Sequence, residues 1–326
     1  MAQAGRILVK TGLLALKLLV SASLIAFLLS KTERAPLLAT LRQMDPAAFP
    51  AAIGLYLAAA FLSTLRWKLL VPQPIGMRRL FSMYLIGSFF NNYLPGGVGG
   101  DAVKAYYLSR EMKKCSAEGR APSFHPSLTG AIASVFMDRY VGLSALIFLS
   151  VAAFPFGIRY LQDASTAWPV IWAIPLIALA FLAVSLLIFA FRLGERIRFL
   201  LNVYQYLHFY RSQREALLKA FVYSLVIQLL GVLSVYLLSR GLHLSLPFLS
   251  LLVFLPMIIL FSMIPITVSG IGLREGAFVF LLGSAGIAPA SAITLSLVWF
   301  FSVFVAGIWG LLEYLRYKAV FGREVP

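Results

Sequence analysis

The stretch FFNNYLPGGVGGDAVK, residues 89–104, places two asparagines, one proline and four glycines inside an otherwise apolar region. Proline and glycine are the poorest helix formers, so a helix that enters this stretch is expected to break there. Such a break frees backbone N–H and C=O groups, which hydrocarbon cannot satisfy. If the region lies in a membrane, the break must therefore be enclosed by protein or line a polar cavity.

The composition of the whole chain places that region in a membrane. Of the 326 residues, 61% are hydrophobic and 12% are charged, whereas soluble domains are roughly half apolar and a quarter charged. The mean hydropathy is +0.90. We therefore predict an all-α polytopic membrane protein, with a single transmembrane domain over 1–320 and a short cytoplasmic tail at 321–326.

Six apolar segments approach or exceed the roughly 20 residues that a bilayer-spanning helix needs. They are 11–30, 50–71, 128–153, 168–191, 217–239 and 290–312. Two further apolar regions, 80–110 and 247–285, are interrupted at LPGGVGGD and at IPITVSGIGLREG. The N-terminal run has the basic start of a signal peptide but no clean small-residue cleavage site before Lys31. An uncleaved first helix is expected.

Loop charge predicts the orientation, because cytoplasmic loops of membrane proteins collect Lys and Arg. The basic stretches are 66–79, 104–120, 192–215 and the C-terminal tail, and the stretches poor in Lys and Arg are 154–167 and 241–247. All basic stretches lie on one side only if 80–110 enters from the cytoplasm and returns as a re-entrant hairpin. The same logic makes 247–285 a second hairpin, entering from outside, and places both termini in the cytoplasm.

The two interruptions share one pattern. Each has an apolar residue, a proline, a glycine turn and then charged residues that open a new helix, about 170 residues apart in the chain. Two broken helices that enter from opposite faces are typical of an inverted repeat in transporters. We therefore predict that the chain is built from two inverted halves.

Other function classes are disfavoured. A net charge of +16 in a soluble protein would suggest nucleic acid, but here basic loops and anionic head groups account for it. Cys115 is the single cysteine, and His125, His208 and His243 are scattered, so no metal set is indicated. No cofactor and no nucleic-acid partner are predicted.

The predicted site is a polar cavity between the two breaks. Glycines permit positive φ, Asp101 can cap the helix that follows the first break, and free N–H groups at a helix start suit an anion. Lys104 lies on the same helical face as Asp101, and Arg274 occupies the matching place in the second hairpin. Two half-helix starts, each with a cation, predict a phosphate cradle; the alternative is a pair of tight loops in water.

Two charges also fall inside the predicted span 128–153. Asp138 and Arg139 are neighbours, which do not face each other on a helix, so each is expected to have its own partner, with Lys104 or Arg274 as candidates for Asp138. The alternative is that both lie near the interface and extend to water. The residues predicted to bind substrate are Asn91, Asn92, Pro95, Gly97, Gly99, Gly100, Asp101, Lys104, Asp138, Arg139, Thr267, Gly270, Gly272, Arg274 and Glu275.

The same residues carry a resemblance. NNYLPGGVGGD followed by Lys104, the internal MDRYVGL and the later PITVSGIGLREG resemble the lysylphosphatidylglycerol synthase transmembrane (flippase-like) family, the membrane half of the bacterial multiple-peptide-resistance factor. The resemblance covers nearly all of 1–320. It implies a multi-pass protein of the bacterial inner membrane that moves an aminoacylated phospholipid between leaflets. We expect no aminoacyl-transferase domain after residue 320, so other cargo, such as polyprenyl-phosphate-linked sugars, stays open.

Three functions are compatible with the sequence. The lead is a lipid flippase without enzymatic activity, whose partners are membrane lipids and whose homo-oligomerisation stays open. The alternative is a membrane enzyme that transfers a glycosyl or aminoacyl group to a lipid-linked substrate, with Asp101 as a base. A scaffold without transport is the third, and it predicts that neutralising Lys104 and Arg274 has no effect on phenotype.

Overall fold

The chain folds into helices throughout the part that the structure describes. The structure is a computed structural model, and it describes residues 19–24, 26–27, 30, 34–93, 99–117, 127–157, 160, 164–189, 210, 213–264, 266–268 and 270–321. Within these residues the helices are α1 (Arg34–Arg42), α2 (Ala48–Leu70), α3 (Met77–Tyr93), α4 (Gly99–Ala117), α5 (Leu128–Gly157), α6 (Ala164–Phe189), α7 (Arg214–Gly241), α8 (Phe248–Ser262), α9 (Leu273–Gly283) and α10 (Pro289–Phe321).

Four of these helices are long and apolar enough to cross a membrane. They are Ala48–Leu70, Leu128–Gly157, Arg214–Gly241 and Pro289–Tyr317. Even the 23-residue α2 extends about 35 Å, against a hydrocarbon core of about 30 Å. They match the predicted spans 50–71, 128–153, 217–239 and 290–312, and the predicted all-α polytopic class is confirmed.

The other two predicted spans are covered in part. Helix α6 has 26 residues and contains most of 168–191. Much of the predicted span 11–30 lies outside the described residues, although residues 19–24 are helical.

Both predicted interruptions are helix breaks. Helix α3 ends at Tyr93 and α4 begins at Gly99, while α8 ends at Ser262 and α9 begins at Leu273. Helices α8 and α9 have 15 and 11 residues, so each is at most about 23 Å long and too short to cross a bilayer. That each pair dips into the membrane from one face stays a prediction.

Helix packing divides the chain into two equivalent halves, α1–α5 and α6–α10. Among the described helices, each pair that packs extensively has a counterpart. The counterpart is found by exchanging helix n of the first half with helix n + 5 of the second. Thus α3 packs on α10 as α8 packs on α5, and α1 packs on α10 as α6 packs on α5. Helices α2 and α7, which exchange with each other, make the most extensive contact. Such agreement indicates that the two halves share one architecture.

Close backbone approach holds the first broken pair together. A Cβ built on Gly100 of α4 would lie 1.8 Å from the carbonyl oxygen of Gly87 on α3, and one built on Gly87 would lie 2.3 Å from Cγ of Lys104. A side chain at position 100 would meet the backbone of α3, and one at position 87 would displace the side chain of Lys104. The two glycines therefore allow α3 and α4 to pack backbone to backbone and bring Lys104 against α3.

Candidate functional site

A buried ion network centred on Asp138 joins four helices. The Arg66 Nε on α2 lies 2.8 Å from Oδ1 of Asp138 on α5, and the Lys104 Nζ on α4 lies 3.5 Å from Oδ2. Arg66 also donates from Nη1 to the Ser224 hydroxyl on α7, over 3.0 Å. The Asp138 side chain is 1% exposed. Buried charges persist only when they are paired and hydrogen-bonded, and this carboxylate satisfies two cations at once.

Lys104 lies in an aromatic box beside this carboxylate. Its Nζ is 4.3 Å from the ring centroid of Trp67 and 4.2 Å from that of Tyr84, within the range at which a cation is attracted to a ring face. The residue is 2% exposed. Lys104 therefore pairs with Asp138 as expected, and its ammonium group is buried between the carboxylate and the two rings.

A second polar group lies at the start of α4, next to the first break. Arg139 donates two hydrogen bonds to Asp101, Nε to Oδ2 over 2.9 Å and Nη2 to Oδ1 over 2.8 Å. The Arg139 side chain is 50% exposed and that of Asp101 17%. Asp138 and Arg139 therefore have separate partners, as predicted for neighbouring positions in the middle of a helix.

The cap of α4 differs from the prediction. Asp101 lies in the first turn of the helix and pairs with Arg139, so it does not cap the helix. The backbone N–H of Gly100 instead donates to Oδ1 of Asn91 over 2.9 Å, and Asn91 Nδ2 donates to Asp101 over 3.2 Å. An amide can accept from the helix start and donate to a carboxylate at the same time, which suits Asn91 to this position.

The second hairpin carries its own ion pair. The Glu275 carboxylate accepts the Gly272 N–H at the start of α9 over 2.7 Å and is bonded by both Nε and Nη2 of its neighbour Arg274. Ser296 of α10 joins this pair, and the Arg274 guanidinium lies 4.3 Å from the Phe300 ring centroid.

Two glycines shape the turn before α9. Gly270 and Gly272 have φ of +74° and +89°, which glycine adopts without strain. Together with the carboxylate and the guanidinium that follow them, they form a compact neutral group.

The remaining predicted residues are dispersed. Asn92 donates to the Tyr56 hydroxyl over 3.4 Å. Thr267 is 4% exposed, and its hydroxyl has no hydrogen-bond partner among the residues that the structure describes. Gly99 opens α4, while Pro95 and Gly97, like Ser269, lie outside the described residues.

The predicted site residues thus form two clusters. Asn91, Asp101, Lys104, Asp138 and Arg139 surround the start of α4, whereas Arg274 and Glu275 pair with each other against α10. No hydrogen bond or ion pair joins the two clusters within the described chain.

The clusters also differ in charge. Arg66 belongs to the first cluster because it pairs with Asp138. With it, the first cluster contains three cations, Arg66, Lys104 and Arg139, against the two carboxylates of Asp101 and Asp138, which leaves one positive charge. In the second, Glu275 balances Arg274 and occupies the α9 helix start itself. An added anion is therefore favoured only at the first cluster.

Sequence reasoning missed Arg66, Trp67, Tyr84, Ser224, Ser296 and Phe300. Arg66 was assigned to a basic loop stretch, but it lies inside α2 and is 6% exposed. A signal was present, since Ser63, Arg66, Trp67 and Leu70 recur at helical spacing and share the buried face.

Comparison with known proteins agrees with these features. A family model described as "Lysylphosphatidylglycerol synthase TM region" matches residues 14–310. The chain is also 27% identical over 281 residues to a "UPF0104 membrane protein" of Methanothermobacter thermautotrophicus, over 77% of this chain and 79% of that protein.

Proposed function

Because the chain belongs to the lysylphosphatidylglycerol synthase transmembrane-region family, we propose that it moves an anionic or aminoacylated phospholipid between membrane leaflets. The head-group phosphate would bind at the first cluster. The observation that carries this proposal is the excess positive charge at the start of α4, directly beside a helix break.

Arg139 is the group that first meets the phosphate. Its side chain is half exposed, and its guanidinium forms a bidentate pair of hydrogen bonds with the Asp101 carboxylate. The same geometry suits a phosphate. A phosphate can replace the Asp101 carboxylate as the acceptor of both Arg139 hydrogen bonds, so that Arg139 stays paired. Asp101 keeps its bond from Asn91, so the exchange leaves neither group without a partner.

The buried ion network supplies attraction at longer range. Arg66 and Lys104 share the single carboxylate of Asp138, and their surplus charge is weakly screened because water is largely excluded. Two halves of equal architecture suit alternating access, in which one half rocks against the other around a fixed site.

The test is lipid movement in liposomes. Purified protein is reconstituted with fluorescent phosphatidylglycerol, and a membrane-impermeant quencher reports the fraction of lipid that changes leaflet. Wild type is expected to accelerate exchange, and Lys104→Met and Arg139→Gln to reduce the rate at least tenfold. Lys219→Gln, at an exposed pair with Glu215, is the matched control. Equal rates for all four proteins would contradict the proposal.

A lipid-linked transferase is the second candidate, because the family description contains the word synthase. In that case Asp101 would act as a base toward the lipid acceptor. Mass spectrometry of the liposome lipids separates the two functions. Movement without a change in lipid mass supports transport, and a new lipid mass that requires an added donor supports transfer.

A further inference from the structure

A lateral groove begins beside the first cluster and belongs to no function assigned so far. It has a volume of about 330 Å³ and is lined by Phe90 of α3, by Ala102, Val103, Tyr106 and Tyr107 of α4, and by Tyr314 of α10. Helices α4 and α10 form its two walls and are not among the helix pairs that pack extensively.

The first end of the groove lies next to the proposed phosphate site. Phe90 and Ala102 line the groove, and each is the chain neighbour of a residue in the first cluster, Asn91 and Asp101 respectively. From Ala102 to Tyr107 the helix rises about 7.5 Å. The groove therefore leads from the start of α4 along more than one helical turn.

Side chains close the other end. The rings of Tyr107 and Tyr317 lie 4.8 Å apart, and the Tyr317 hydroxyl donates to Oε1 of Glu111 over 3.0 Å. Arg79 donates to the other oxygen of that carboxylate over 2.7 Å. This bridge links α10 to α3 and α4 next to Tyr107, the lining residue furthest along α4.

The chemistry of the lining residues favours an apolar ligand. Among the residues that the structure describes, no charged side chain lines the groove, and the lining residues are four aromatic rings, one alanine and one valine. Tyr106 is 52% exposed, and Leu312 and Leu315, which flank Tyr314 on α10, are 48% and 53% exposed. Around a membrane-spanning helix, such a surface faces lipid tails. The Tyr106 ring already carries the Arg110 guanidinium at 5.9 Å, so the groove does not present a free aromatic cage to a cation.

We propose that this groove binds one hydrocarbon chain of the lipid whose phosphate occupies the site at Asp101 and Arg139. The inference rests on the proposed function and adds the place where the lipid enters from the side. The hydrocarbon chain enters between α4 and α10 while the head group stays at the helix break. The volume of the groove lies at the lower end of the range for ligand pockets.

Site-specific photo-crosslinking tests the groove. A benzophenone amino acid replaces Tyr106 in the full chain, reconstituted in phosphatidylcholine with a small fraction of phosphatidylglycerol, and intact mass identifies the lipid attached after illumination. The matched position is Phe148 of α5, also 52% exposed. We expect adducts at 106 to be at least fivefold enriched in phosphatidylglycerol and attached through its acyl chain, and adducts at 148 to follow the bilayer composition.

Filling the groove supplies the second readout. Ala102→Phe and, separately, Ala102→Leu add volume at an exposed position and are expected to reduce the adduct at 106 at least fivefold without changing that at 148. Adducts at 106 with bulk composition that neither substitution affects would overturn the inference, as would a crosslinked protein dimer. Enrichment at 106 without lipid movement contradicts the proposed function alone, and lipid movement without enrichment contradicts the groove alone.

Discussion

At the scale of single residues, Asp138 is the side chain on which the buried ion pairs of the first cluster depend most. It is the carboxylate that both Arg66 and Lys104 contact, at 1% exposure. Removing one partner of a buried ion pair leaves an uncompensated charge in a medium of low polarity, which costs far more than the pair itself contributes. The three members of the network should therefore differ sharply in their sensitivity to substitution.

We expect Asp138→Asn to lower the free energy of unfolding by about 3–5 kcal/mol, because two cations lose their counter-charge. Lys104→Met should cost less, since Arg66 still neutralises Asp138 and the methionine fills the aromatic box. Thermal unfolding in detergent measures both. Glu215→Gln, at a carboxylate exposed to solvent, is the control and should leave the midpoint unchanged. A midpoint for Asp138→Asn as high as that of Lys104→Met would contradict this account of the network.

Asn91 provides a second test, because its amide serves two partners. Asn91→Ala removes the acceptor for the Gly100 N–H and should cost about 1 kcal/mol. Asn91→Asp keeps that acceptor but places a second carboxylate beside Asp101, so it should be tolerated only at a pH low enough to protonate one of them. Unfolding midpoints measured across the acidic range distinguish the two variants. Identical pH profiles would contradict the close approach of the residue 91 side chain to Asp101.

At the scale of elements, the two helix breaks were predictable and their partners were not. Proline and glycine act on the local backbone, so LPGGVGGD predicted the end of α3 and the start of α4 without any knowledge of packing. The cap of α4 was mispredicted because Asn91 and Gly100 are nine residues apart and meet only when α3 folds back on α4. The Gly87 and Gly100 contact makes that return possible.

Gly100→Ala is therefore expected to separate α3 from α4, because its Cβ would lie 1.8 Å from the Gly87 carbonyl oxygen. Overpacking of this severity typically costs 1–3 kcal/mol or more, and the yield of folded protein should fall. Gly54→Ala and Gly231→Ala are the matched controls, since nothing lies within 4 Å of either added Cβ and alanine favours a helix. Size-exclusion profiles and unfolding midpoints provide the comparison. A stable, monodisperse Gly100→Ala protein would refute the close approach.

At the scale of the whole molecule, the repeated helix packing supports two equivalent halves, and their inversion across the membrane stays a prediction. If each half crosses the membrane three times and contributes one hairpin, the second half begins on the face opposite to the first. The two broken pairs then enter from opposite sides. The two halves are alike in architecture but not in charge, because a carboxylate, Glu275, accepts the N–H at the second helix start, whereas the neutral amide of Asn91 accepts the N–H at the first.

Cysteine labelling tests this topology. In a Cys115→Ser background, Lys113→Cys and His243→Cys each place one thiol at an exposed position. The positive-inside prediction puts residue 113 in the cytoplasm and residue 243 outside. A membrane-impermeant maleimide applied to intact cells should label only the thiol at 243, and both thiols should react after permeabilisation. Labelling of both positions in intact cells would reject the pair of opposed hairpins.

The membrane environment, the long helices and both breaks could be predicted from the sequence, because hydropathy and backbone propensity depend on neighbouring residues. Separate partners for Asp138 and Arg139 were also predicted, since neighbouring residues in the middle of a helix point to different faces. The identity of those partners follows from the packing of the helices. The contacts of Asp138 with Arg66 and Lys104 bridge 72 and 34 residues, and such pairings depend on how helices pack, which a pattern read along one chain does not contain.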